Sequence, residues 1–242
     1  MNREPRGPAS ESESDLGRDG SEVEIRGHRF RLLAPGGLHW PDRDALLVAD
    51  LHLGKEATFR RGGIAVPQGS TEETLRDLSR LLAVTRASVA YLLGDLFHDR
   101  ASLTPDVLGF VRGTLRRHAG TEVVWIGGNH DRRLGRVWDE LPLRFAGESE
   151  QIGPVELSHF PAPMGASETS DRLRIAGHLH PSVRLPRRHD IAGVFRCFWY
   201  SDGCLVLPAL GRFTGTHRVR PRRRDRVWML VEGHVVPMPQ AK

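Results

Sequence analysis

Residues 45–54, ALLVADLHLG, set a short apolar run directly against an aspartate and a histidine. Bounded by the turn-prone PDRD (41–44) before it and DLHLG after it, the run reads as a buried strand that delivers polar side chains at its carboxyl end. The pattern repeats downstream: SVAYLL (88–93) runs into Gly94-Asp95, and TEVVWI (121–126) into Gly127-Gly128-Asn129-His130-Asp131. Between these runs the texture turns helical. Ser70 and Glu73 are spaced as a capping box for a helix through about Arg86. Thr104-Pro105 caps and opens another helix reaching about His118, with proline in its favoured first-turn place. Strand, helix, strand, helix, strand at this spacing predicts a largely parallel, helix-covered sheet.

After about Leu141 the chain becomes strand-like throughout: VELSHF (155–160), LRIAGH (173–178), SVRLP (182–186), VFRCFWY (194–200), CLVLP (204–208) and RVWMLVEGHVV (226–236), with Gly or Pro between runs. This predicts a β-rich second half packed on the first sheet. No repeat or linker divides the body, so one layered α/β domain is expected over 22–242. Residues 1–21 are rich in Ser, Glu, Gly and Pro and are expected to be a disordered tail. Asp202-Gly203 reads as a hairpin turn pairing Ser201 with Cys204, a register that keeps the Cys197 and Cys204 thiols apart and predicts no disulfide.

At 242 residues, 39% hydrophobic and 27% charged, the composition excludes wholesale disorder and fibrous classes. No apolar run approaches the ~18–20 residues of a membrane span, and the first residues have no apolar signal region, so a soluble, cytoplasmic protein is expected. Of 35 basic residues only Lys55 and Lys242 are lysine. Residues 1–22 hold six acids against three arginines, a net of −3, which leaves about +8 on the body since the total is +5. A basic body is compatible with a polyanionic partner.

Five strand ends carry carboxylate, amide or imidazole groups: Asp50 and His52, Asp95, Asn129 with His130 and Asp131, His159, and His178 with His180. The carboxyl ends of parallel strands form the ligand crevice of α/β sheets, so groups spread from 50 to 180 can converge. In Asp-x-His and His-x-His, residues i and i+2 face one side of an extended segment and offer two ligands to one place. A single histidine after a strand is usually an ordinary surface or core residue. Five such ends in order are a different matter. Asp50, His52, Asp95, Asn129, His159, His178 and His180 are too many ligands for one ion and suit two divalent ions sharing a carboxylate. Mixed imidazole, carboxylate and amide donors suit Mn, Fe or Zn better than Mg.

Asp50-x-His52, Gly94-Asp95, Gly128-Asn129-His130-Asp131, His159 and Gly177-His178-x-His180 resemble the five motifs of the calcineurin-like metallophosphoesterases. Within that superfamily, ADLHLGKE (49–56), LLGDLFHDR (92–100) and LPALGRFTG (207–215) look most similar to the bacterial ligase-associated DNA damage response endonucleases. The resemblance implies a layered α/β/β/α sandwich. It implies that Asp50, His52, Asp95 and His180 hold one ion, that Asp95 bridges, and that Asn129, His159 and His178 complete the second, with Mn²⁺ the expected metal. It places His130 at the leaving-group oxygen as acid, with Asp131 supporting an imidazole or a loop, and in-line attack coming from a hydroxide shared by the two ions. It implies a DNA substrate, a repair role, and a DNA-repair ligase and helicase as partners.

The protein-phosphatase branch carries an aspartate three residues after the metal aspartate to support the catalytic histidine. This chain has His98 there, followed by Asp99 and Arg100. Lys55 and Arg100 are candidate contacts for substrate phosphate. The arginines at 184, 187, 188, 212, 218, 220 and 222–224 can track a nucleic-acid backbone or form an ordinary solvated stretch. Three readings follow: a DNA phosphodiesterase, a phosphatase or pyrophosphatase of small nucleotides or sugar nucleotides, and a catalytically idle binding module. The complete ligand set and His130 argue against the last.

Overall fold

The computed structural model describes residues 20–64, 66, 69–131, 134–135, 137–162, 172–185 and 193–239. The first half builds a seven-stranded sheet in sequence order. β1 (Ser21–Ile25), β2 (His28–Leu33), β3 (Gly37–Trp40) and β4 (Ala45–Ala49) pair antiparallel. β4, β5 (Val89–Leu93), β6 (Glu122–Ile126) and β7 (Arg144–Phe145) pair parallel. The crossovers carry α1 (Lys55–Arg61), α2 (Ser70–Thr85) and α3 (Pro105–Arg117).

The second half gives β8 (Ser149–Ile152), β9 (Val155–Ser158), β10 (Leu173–Ala176), β11 (Pro181–Leu185), β12 (Gly193–Ser201), β13 (Cys204–Val206), β14 (His217–Arg218), β15 (Arg226–Val231) and β16 (His234–Pro237). They form a nine-stranded sheet in which the long β12 pairs with β11, β13 and β15.

Strand periodicity sorts the core into layers. Leu46 and Val48 of β4 pack with Leu75, Leu78 and Leu82 of α2 and Val111 and Leu115 of α3. Ala45, Leu47 and Ala49 turn the other way, onto Val155, Leu157, Ile175, Phe198 and Leu205 of the second sheet. Burial on both faces is why ALLVA is continuously apolar. The outer face of the second sheet carries Val183, Leu185, Cys197, Trp199, Val206 and Met229. Among the described residues no α-helix covers that face, so the described layers run helix, sheet, sheet. Among them, too, no helix is long and apolar enough to cross a membrane.

Asp202 and Gly203 have φ of 48° and 77° and close the hairpin with Ser201 opposite Cys204. Both cysteines are free and buried, and burial pushes their thiols up to about 12 for Cys197 and about 11 for Cys204. Thr104 Oγ1 accepts the Val107 N–H at 3.3 Å and caps α3 as expected. The capping box at Ser70 and Glu73 does not form. Gly69 is the cap, and Ser70 donates its hydroxyl to Glu56 at 2.5 Å while Thr71 N donates to the same carboxylate at 3.1 Å. A buried carboxylate on α1 outcompetes the local bond.

The tail expected over 1–21 falls outside the described residues from 1 to 19. Ser21 itself belongs to β1: it pairs with Leu32 and donates its hydroxyl to the Val235 carbonyl at 3.0 Å.

Phe198 is fully buried between the two sheets. Phe198→Ala should cost about 3–5 kcal/mol in urea unfolding, the range for truncating a core phenylalanine. A cost below about 1 kcal/mol would show that the sheets do not pack through this residue.

Candidate metal centre

The loops that leave β4, β5, β6, β9 and β10 meet at one end of the two sheets. Backbone bonds join the first two: His52 N donates to the Asp95 carbonyl at 3.0 Å, Leu53 N to Leu96 at 2.9 Å, and His98 N to Leu53 at 3.2 Å. The segment after β13 closes over the first loop, with Leu210 N on the Ala49 carbonyl at 2.7 Å and Gly211 N on the Asp50 carbonyl at 3.1 Å. Asp50, His52, His178 and His180 adopt left-handed φ of 51°, 45°, 70° and 46°. Such strained non-glycine positions persist only where surrounding structure holds them, and they cluster at functional sites. Gly94 has a φ of 90°, and a Cβ there would collide with the His159 ring; a Cβ on Gly128 would collide with the Asp95 carboxylate.

The seven predicted ligands converge in two overlapping groups. In the first, His52 Nε2 lies 3.2 Å from His180 Nε2 and 3.8 Å from Asp95 Oδ2, and His180 Nε2 lies 3.5 Å from Asp50 Oδ2. In the second, His159 Nε2 lies 2.9 Å from Asn129 Oδ1, 3.0 Å from His178 Nδ1 and 3.7 Å from Asp95 Oδ1. Each oxygen of Asp95 thus faces one group. Asp50 is held by the His178 N–H at 2.7 Å and faces His159 Nδ1 at 3.3 Å. His180 Nδ1 meets the Gly215 carbonyl at 3.0 Å. A carbonyl can only accept, so that bond places the proton on Nδ1 and turns the Nε2 lone pair into the cluster.

Electrostatics match a cation site. Burial works against the Asp50 charge, but the surrounding His159 and His180 rings outweigh it and hold the carboxyl below its usual range. Burial raises Asp95, with the Asp50 charge adding to the effect. Burial pulls His52 down to about 3, keeping the imidazole neutral and able to coordinate. Asp50 Oδ1, His52 Nδ1 and His159 Nδ1 are buried with no hydrogen-bond partner. Lone-pair atoms crowded at 3–4 Å with buried members unsatisfied need positive charge among them. The donor set of carboxylates, an amide and imidazoles fits divalent cations, and Asp50, His52 and His180, or Asp50, Asp95 and His159, can each hold one.

His130 sits at the rim. Its N–H donates to Asp95 Oδ1 at 3.0 Å, and its Nε2 lies 3.8 Å from Asp95 Oδ2. His130, His52 and Asp95 also lie close enough to share an ion. The support absent from the sequence pattern comes from the backbone: His130 Nδ1 donates to the His98 carbonyl at 2.5 Å, and the His98 ring stacks on it at 5.2 Å. Asp99 is engaged elsewhere, accepting from Ser102 N at 2.8 Å and the Thr58 hydroxyl at 2.9 Å. Among the described residues Asp131 hydrogen-bonds no imidazole. Its carboxylate accepts the Gly128 N–H at 2.8 Å and those of Leu96 and Phe97 at 3.4 Å, tying the loops after β5 and β6 together, while burial pushes it up to about 7.

Lys55 opens α1 beside the centre, half-buried, and burial lowers its ammonium. Arg100 is exposed at the start of the turn Arg100–Ser102 and has no side-chain partner among the described residues. Arg212 pairs with the buried Asp77 at 2.5 Å, and Arg222 with Asp202 at 2.6 Å, so these two arginines brace the fold. Arg187 and Arg188 lie outside the described residues. Arg218 and Arg220, exposed, line a cavity of about 560 Å³ that also touches His178, Leu179 and Phe160. The sequence carried no sign of the His98 carbonyl, and LPALGRFTG, quoted there only for its resemblance, is the segment that closes over Asp50 and orients His180.

A two-sheet α/β body with an Asp, Asn and His cluster at its loop end is a metal-dependent phosphoesterase architecture. The profile of the calcineurin-like phosphoesterase family matches residues 45–193, and the chain belongs to that family. Among solved structures it is similar to the Pseudomonas putida nuclease MPE, at 34% identity and a TM-score of 0.76, over 91% of this chain and all of that one. An Aquifex aeolicus protein of unknown function matches 60% of this chain and 81% of its own, at 18% identity and a TM-score of 0.37. No curated protein sequence matches the chain.

Gly94→Ala should push the His159 ring out of the second group. Mn²⁺ affinity by calorimetry should fall about 10- to 100-fold, as for other losses of ligand support, with the circular dichroism spectrum kept. Unchanged affinity would show that the ring has room to spare.

Proposed function

We propose that the chain is a DNA phosphodiesterase, an endonuclease acting in repair, working through two divalent ions with Mn²⁺ preferred. The observation that carries the two-ion reading is Asp95, whose two oxygens face different ligand groups at 3.8 and 3.7 Å. The nuclease reading is supported by the similarity to the Pseudomonas putida nuclease MPE. Arg218 and Arg220, exposed on a cavity that touches His178, support a polyanionic substrate. The repair role rests on the resemblance of ADLHLGKE, LLGDLFHDR and LPALGRFTG to the ligase-associated endonucleases.

Asp50, His52, Asp95 and His180 would hold one ion, and Asn129, His159 and His178, with Asp95, the other. When bound, two such ions act as Lewis acids on the phosphoryl oxygens and lower the pKa of water toward ~7, so no side-chain base is required. The protein's part is orientation and proton supply. Asp50, pinned by the His178 N–H, and His180, pinned by the Gly215 carbonyl, hold the first group rigid. Asp131 sets the relative positions of the loops bearing Asp95 and Asn129. His130 keeps its Nδ1 proton on the His98 carbonyl, which leaves Nε2 to carry the transferable proton. Hydrolysis forms one bond from phosphorus to the oxygen of a water, whose displaced proton passes to solvent, and breaks the bond to the leaving nucleoside. The Nε2 proton ends on the departing oxygen.

His130→Ala should keep two ions bound, since all seven assigned ligands remain. It should slow nucleoside diesters by about 10²–10⁴, roughly 3–5 kcal/mol of barrier, and activated aryl diesters much less, because a phenolate departs unprotonated. Equal losses on both would indicate a purely electrostatic imidazole. Loss of an ion would make His130 a ligand.

A further inference from the structure

A row of rings leads away from His130. His98 stacks on His130 with centroids 5.2 Å apart and planes at 26°, and Phe59 stacks on His98 at 6.0 Å and 26°. Phe213 meets Phe59 edge-on at 5.7 Å, and its ring, at 38% exposure, ends the row in solvent. Lys55 Nζ lies between the last two rings, 5.8 Å from the Phe59 centroid and 5.9 Å from that of Phe213. It has no carboxylate partner among the described residues. Folding gains little from a half-buried ammonium without a counterion, and Phe213 leaves more than a third of its surface open beside it. Both lie on the side of the centre where His130 stands.

Resting on the nuclease reading above, we propose that Lys55 and Phe213 form the subsite for the leaving strand. Lys55 contacts the next phosphate of that strand, and Phe213 stacks the base of the nucleotide that departs as the alcohol. A cation beside an exposed aromatic face is the arrangement by which single strands are held without sequence readout.

The test uses Phe213→Ala on the full chain with Mn²⁺ and three dinucleotides: TpT and the two in which one or the other thymine is replaced by hydrogen. Phe213→Ala should lower kcat/KM on TpT by about 5- to 150-fold, the range for one stacked base, with Mn²⁺ affinity and melting temperature unchanged. The loss should vanish, to within about twofold, on the dinucleotide whose missing base belongs to the product released without phosphate. Lys55→Gln should remove the rate advantage that a terminal phosphate on that same nucleoside confers. An equal loss on all three dinucleotides, or none on TpT, would overturn the subsite while leaving the nuclease reading intact. Failure of the unmodified protein to cleave these diesters or circular single-stranded DNA would overturn that reading, and the subsite with it.

Discussion

The carboxylate of Asp50 is buried among groups that cannot all be satisfied by protein hydrogen bonds, and the surrounding loops take their shape from that problem. One oxygen takes the His178 N–H, and the other faces a histidine ring with no hydrogen bond formed. Asp50, His52, His178 and His180 all occupy left-handed backbone. Each such residue costs of order 1–3 kcal/mol, so the strain is sustained by the packed sheets behind it. Trp125 illustrates the connection: fully buried against α2 and α3, it donates its indole N–H to the Gly94 carbonyl at 3.1 Å. The core thereby fixes the glycine on which the His159 ring rests.

Rigidity at the centre comes from backbone more than from side chains. The loops after β4 and β5 are zipped by three main-chain bonds, and the 207–215 segment adds two from the other sheet. Arg212, which belongs to that segment, is anchored to Asp77 on α2, and its N–H donates to Thr74 at 3.1 Å. A site built this way is preorganised before any cation or ester arrives, which is what electrostatic stabilisation of a developing phosphoryl charge requires.

The parallel core, the helices α2 and α3 and the hairpin at Asp202-Gly203 were legible in the sequence because each rests on short-range chemistry: apolar runs, Thr104-Pro105, and a turn that needs positive φ. So was the convergence of Asp50, Asp95 and the histidines, since strand order in a parallel sheet places successive strand ends together. What was not legible depends on contacts between distant segments. Ser70 serves Glu56 in place of its own helix, and Ser21 pairs with Leu32 because β2 offers it an edge. The support of His130 is a main-chain carbonyl, which no residue type announces. Asp131, adjacent to His130 in sequence, turns its carboxylate away to three backbone N–H groups. The arginine-rich stretch divides between structural ion pairs and exposed guanidinium groups, a division that depends on where Asp77 and Asp202 lie in space.

Whether Asp95 joins two cation sites is read directly by electron paramagnetic resonance of metal-free protein given two equivalents of Mn²⁺. Two ions sharing one carboxylate are exchange-coupled. A shared Asp95 gives a multiline spectrum whose hyperfine spacing is half that of an isolated ion, absent from the Asp95→Ala variant. A spectrum of isolated Mn²⁺ only, at two bound equivalents, would contradict it.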